Sequence, residues 1–112
     1  MFTLLTVIRK KPEVTSEEFR RFMEFDYGPT YSEMPETRSY VQYFLTDLAQ
    51  DGADPAIDAI VQISFDSESE MRKALQSESY KRAHDLRGRF MQDTSVGIHS
   101  AVVDKIVKLV GG

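Results

Sequence analysis

The chain has 112 residues, 41% hydrophobic and 29% charged, with no cysteine and a net charge of −4. That suits one globular domain, residues 1–112, with a modest core. It excludes disulfides and thiolate metal sites, and a net negative chain needs a strong basic patch before it holds nucleic acid.

The N-terminus, MFTLLTVIRKKP, is apolar first and basic after, the reverse of a secretory signal. No run approaches the ~18 apolar residues of a membrane span. The expectation is a soluble, cytoplasmic protein with no membrane partner.

Residues 2–9, FTLLTVIR, are β-branched and apolar and predict a strand. Pro12 ends it, because proline cannot donate to a ladder. Thr15 and Glu18 fit a capping box, and Phe19, Phe22 and Met23 follow at helical spacing. Gly28-Pro29 is expected to stop this helix, since proline pushes its predecessor out of the α region.

Residues 38–46, RSYVQYFLT, predict a second strand. Val41, Tyr43 and Leu45 share one face; Tyr40, Gln42 and Phe44 share the other. A loop is expected at 48–56 from its Gly, Asp and Pro content. The third strand runs from 57 to 65, with Ala59, Val61, Ile63 and Phe65 as its apolar face. Ser67 and Glu70 fit a second capping box, with Met71, Ala74 and Leu75 behind it. A break near Ser77 precedes a helical stretch, Tyr80 to Phe90, on which Ala83, Arg87 and Phe90 align. Residues 97–109, rich in Val and Ile, predict a fourth strand.

The order is strand, helix, strand, strand, helix, strand. That is the βαββαβ pattern of an α+β, ferredoxin-like fold: a four-stranded antiparallel sheet with helices on one face. The other face would lie bare, with Ile60, Phe44, Tyr40 and valines of the last strand exposed. A patch that large is covered most simply by a second copy, so a two-fold homodimer is expected.

These phrases resemble the EthD-like branch of the dimeric α+β barrel proteins. The residues that carry the likeness are R-K-K-P-x-x-T-x-E-x-F, then G-P, then M-P-x-x-R-x-Y-V-Q. F-D-S follows at the end of strand three, then S-x-x-Y, then R-F-x-x-D. The resemblance covers almost the whole chain and implies a homodimer with a pocket between sheet and helices. It implies a small-molecule role on an aromatic or cyclic metabolite. The relatives include cofactor-free monooxygenases (oxidoreductases), isomerases and polyketide cyclases, but also accessory proteins of catabolic operons. Enzyme and non-catalytic binding module both stay open. No cofactor and no metal is expected.

Members often carry a histidine just before the G-P corner; this chain has Tyr27. A histidine titrates near neutrality and moves protons. A phenol, with a pKa near ~10, mainly donates a hydrogen bond. Tyr27 is therefore a candidate to hold a substrate oxygen, against the plainer role of a helix-end aromatic. Tyr31, Tyr40 and Tyr43 are candidates to line the same cavity, or to pack in the core or dimer face. Tyr40 and Tyr43 point opposite ways, so at most one sees it. Phe22 and Phe90 supply candidate apolar lining. His84 is the candidate base, or an axial haem ligand by analogy with haem-binding relatives of the broad fold. It could equally be one polar residue among Lys81, Arg82, Asp85 and Arg87. His84 and Asp85 are helix neighbours in sequence and do not face each other. His99 lies far off, so the two histidines make a poor metal set. Arg38 could clamp an anionic substrate or make a surface salt bridge. Asp58, Asp66 and Asp93 suit caps and turns.

Overall fold

The computed structural model describes residues 1–46, 48, 57–92 and 98–111, with Ile98 given by its backbone alone. Most of the expected 48–56 loop, and Asp93, lie outside the described residues.

Strand β1 spans Phe2–Ile8 and helix α1 spans Ser16–Phe22. Thr15 caps α1, its hydroxyl accepting the Glu18 N–H at 3.1 Å. The helix does not stop at Gly28-Pro29. It widens into a π-helical turn, Met23–Tyr27, and continues as α2, Gly28–Ser32. Proline breaks an α-helix by clashing with the carbonyl four residues back. A π turn opens the backbone just ahead of Pro29 and relieves that clash. The Met23 carbonyl accepts both the Gly28 N–H and Gln42 Nε2, the latter at 2.8 Å. Tertiary structure thus fills the hydrogen-bonding capacity that the irregular turn leaves open.

Strand β2 spans Ser39–Phe44 and β3 spans Ala59–Phe65. Helix α3, Glu68–Ala74, is capped by Ser67, and α4, Glu78–Phe90, by Ser77. Strand β4 spans Ile98–Val102. It is shorter than the predicted 97–109. Val102 pairs with Leu4, and Val103 N–H still reaches the Thr3 carbonyl. Strand β1 begins at Phe2, so in this register it offers no partner for residues beyond Asp104. Residues 104–111 continue without regular structure and expose Ile106, Val107, Leu109 and Val110.

The sheet order is β2-β3-β1-β4, and every pairing is antiparallel. This is the expected α+β, ferredoxin-like arrangement. Ala59, Val61, Ile63 and Phe65 face the helices and are buried, as their alternation requires. They pack with Phe19, Phe22 and Met23 in one core cluster.

The assignment of faces on β2 needs a correction. Tyr40 and Phe44 pack against the core under the helices. The bare face instead carries Leu5, Val41 and Tyr43, which are 39%, 37% and 47% exposed. Alternation gave two consistent choices for β2, and both faces carry aromatics. Gln42 decides between them, because its amide must reach the Met23 carbonyl.

Candidate functional site

A partly enclosed cavity of about 150 Å³ lies between the sheet and the helices. Leu4, Ile8, Val61, Ile63 and Phe65 form its apolar floor. Tyr27, Tyr31, Tyr40, Tyr80 and Arg87 form its polar wall. Ser100 of β4 also lines it, and its hydroxyl meets that of Thr6 at 2.8 Å on an exposed side.

The phenols arrive by helical spacing. Tyr27 ends the π turn and Tyr31 sits one turn on, so their hydroxyls meet at 2.9 Å. The Thr30 hydroxyl donates to the Tyr27 carbonyl at 2.6 Å. Ser79 of α4 donates to the Thr30 carbonyl, which ties α4 to α2. An Arg82–Glu33 ion pair at 3.0 Å adds a second tie.

The rings also lock one another. Tyr31 stacks on Tyr40 with centroids 5.5 Å apart and planes 8° apart. It meets Tyr27 edge-on at 5.2 Å and Tyr80 at 6.3 Å. Such pairs contribute roughly 0.5–1.5 kcal/mol each beyond burial, which favours one fixed arrangement. Gln42 Nε2 donates to Tyr40 OH at 3.1 Å, so the π turn and the wall share one amide.

Burial drives the Tyr27 pKa well above the ordinary phenol value, and the neighbouring Tyr31 phenol adds to it. Burial also raises Tyr40, against an opposing hydrogen bond from Gln42. Both therefore remain protonated at neutral pH and serve as donors, not bases. Arg87 Nη2 donates to Tyr80 OH at 3.3 Å, and its guanidinium carbon lies 5.8 Å from the Tyr80 ring centroid. Burial opposes the Arg87 charge, but the oxygens of Tyr27, Tyr31 and Tyr80 outweigh it, and its pKa lies above the usual guanidinium value.

The expected site residues therefore divide. Tyr27, Tyr31 and Tyr40 meet at the cavity wall. Tyr43 does not; it lies on the bare sheet face and donates to Gln62 Oε1 at 3.3 Å. Phe22 and Phe90 stack on each other at 4.2 Å. They line a separate, more open depression of about 380 Å³ on the helix side, with Phe25 and Arg89. Arg38 is at the surface, paired with Asp66 at 3.0 Å and donating to the Pro35 carbonyl. His84 is exposed on α4 and is not part of the cavity lining. It follows the buried Ala83 by one position, and a helix turns that neighbour away from the core. Asp58 caps a turn by accepting the Lys10 N–H at 2.8 Å. Among the described residues, no three His, Asp or Glu side chains converge as metal ligands, and no helix is long and apolar enough to cross a membrane.

Sequence reasoning missed Arg87 and Tyr80 as site residues. The signal was present. A charged residue aligned with Ala83 and Phe90 on an inward stripe needs a reason to be there.

Several solved structures share the fold. An EthD family protein from Bacillus halodurans superimposes with a TM-score of 0.71 at 11% identity, over 95% of this chain and 100% of that one. A dimeric ferredoxin-like protein from Thermobifida fusca gives 0.64 at 16% identity, over 91% and 88%. A candidate antibiotic biosynthesis monooxygenase from Nitrosomonas europaea gives 0.66 at 10% identity, over 96% and 100%. At these identities the likeness establishes architecture alone. No protein of curated function matches the sequence. The sequence model of the EthD domain matches residues 11–94, which hold the capped helix, the π turn, all four tyrosines of the cavity wall and β3. The chain belongs to the EthD domain family.

Proposed function

We propose that this protein is a homodimer that takes up a small aromatic or cyclic, oxygen-bearing metabolite between sheet and helices and stabilises negative charge on that oxygen. One observation carries the reading: two buried phenols, Tyr27 and Tyr31, meet at 2.9 Å on the polar wall of a cavity whose floor is apolar. Protonated phenols in a water-poor site stabilise an enolate or phenolate better than they do its neutral parent. That step is common to cofactor-free oxygenation, isomerisation and ring closure. The cavity volume matches that of an engineered apolar cavity known to accept benzene, which favours a single ring.

A second reading has its own support. His84 is exposed and outside the cavity, the described lining holds no histidine or carboxylate, and burial raises the Tyr27 and Tyr40 phenols. A protein that binds the same ligand without converting it fits that lining equally. The half-exposed Leu5, Val41 and Tyr43 favour a second copy across the bare face, as does the dimeric Thermobifida fusca protein.

Sedimentation at micromolar concentration is expected to give twice the chain mass; a monomer overturns the dimer. Single-ring phenols, enols and lactones should bind to the purified protein. If one is converted, Tyr27→Phe is expected to reduce turnover by about tenfold or more, the range for one lost donor to a developing oxyanion. His84→Ala should leave turnover unchanged. Binding without product selects the second reading, and the absence of binding removes both.

A further inference from the structure

Arg87 carries a donor that no described residue uses. Its Nε is buried and has no hydrogen-bond partner among the described residues. Its Nη2 is committed to Tyr80. Among the described residues, no carboxylate lines the cavity and Arg87 takes part in no ion pair. Asp85, two positions away, is exposed and does not line the cavity, while Glu78 pairs with Lys81 and Glu33 with Arg82. A guanidinium set among phenols and aliphatic side chains, with an idle buried N–H, is a costly arrangement for a protein at rest. It becomes favourable when an anion arrives, because charge-assisted hydrogen bonds are shorter and stronger than neutral ones.

We propose that the ligand of this cavity is a one-ring organic oxyanion and that Arg87 is the residue that selects for its charge. The inference rests on the small-molecule reading above and narrows it to a substrate class. The geometry divides the labour. The aliphatic floor takes the ring, and Tyr27 and Tyr31 offer hydroxyls. The Arg87 guanidinium, on the cavity wall, offers the single charged group that a neutral ring does not repay. Arginine suits this better than lysine, because its flat, weakly hydrated head tolerates burial against the Tyr80 ring.

Benzoate and benzamide are a matched pair in shape and differ in charge. Calorimetric titration at pH 7 is expected to show benzoate binding roughly 10- to 100-fold more tightly, the worth of one charge-assisted bond. Arg87→Met should bring benzoate down to the level of benzamide, so that the ratio between the two falls to about one. Arg87→Lys should recover only part of the preference. A second readout needs no variant. 4-Nitrophenol changes colour on ionisation, and on the native protein it should ionise about one unit or more below its value in water. Retention of the benzoate preference in Arg87→Met overturns the assignment. So does equal binding of the pair to the native protein, which leaves the cavity reading standing. Binding of neither compound removes both. Should Arg87→Met fail to fold, the native ratio and the nitrophenol shift still decide.

Discussion

Phe19→Ala is expected to cost about 3–5 kcal/mol of folding stability, the range for removing a fully buried aromatic ring. Phe19 is 1% exposed and belongs to the cluster that joins α1 to the sheet. Domains of this size are stable by only about 5–15 kcal/mol in all, so the variant should sit near the threshold of unfolding at physiological temperature. Urea denaturation of the two proteins side by side measures it. The control lies six positions along. Phe25 is the same residue type but is 70% exposed, and Phe25→Ala is expected to change stability by no more than about 0.5 kcal/mol. Equal effects at the two positions would mean that the packing of α1 described above is wrong.

Gly28→Ala is expected to destabilise by about 2–3 kcal/mol, the upper range for forced overpacking. For a chain of this length that is a fall of about 10 °C in melting temperature. Backbone conformation is not the cause, since Gly28 has a right-handed φ of −55° that any residue adopts. Space is the cause. A Cβ at this position would lie 2.7 Å from the Met23 carbonyl oxygen and 2.8 Å from Gln42 Nε2. The carbonyl belongs to the π turn and cannot swing away. The Gln42 amide can, but only by giving up its bonds to Met23 and to Tyr40 OH. Tyr40 is the ring on which Tyr31 stacks. The variant should therefore lose ligand affinity in addition to stability, even at temperatures where it stays folded. Thermal melting with and without benzoate separates the two losses. A melting temperature within 2–3 °C of the native value, under about 1 kcal/mol, would count against this close approach.

Much of the fold was legible because it is encoded locally. Thr15 and Ser67 are caps that act within one turn of their own position, and both act as caps in the structure; Ser77, read only as a break, caps α4 as well. The third strand alternates cleanly, so its buried face followed from the period alone. What the sequence hid was non-local. Gly28-Pro29 carries every local mark of a helix end. It fails to end the helix because a glutamine from β2 reaches across to the Met23 carbonyl of the wide turn. The faces of β2 were ambiguous because aromatics stand on both. The candidate site was half legible for the same reason. Tyr27 and Tyr31 are one turn apart in one segment, and proximity in sequence brought them together. Arg87 and Tyr80 share α4 and join the others only once α4 packs on α2. Tyr43, Arg38 and His84 have the right chemistry for a site, but each points away from this cavity.

The wide turn also bears on how relatives should be aligned with this chain. Each residue of a helix advances the side-chain direction by about 100°. The spare residue between Met23 and Gly28 therefore offsets everything downstream by one position. Asp26 stays in solvent, and Tyr27 takes the inward bearing that an unbroken helix would have shared with it. A family member with a regular helix in this segment would point a different column of the alignment at its ligand. Whether its histidine truly occupies the place of Tyr27 is then decided by counting the residues per turn in each protein, and the letters that line up are a poor guide.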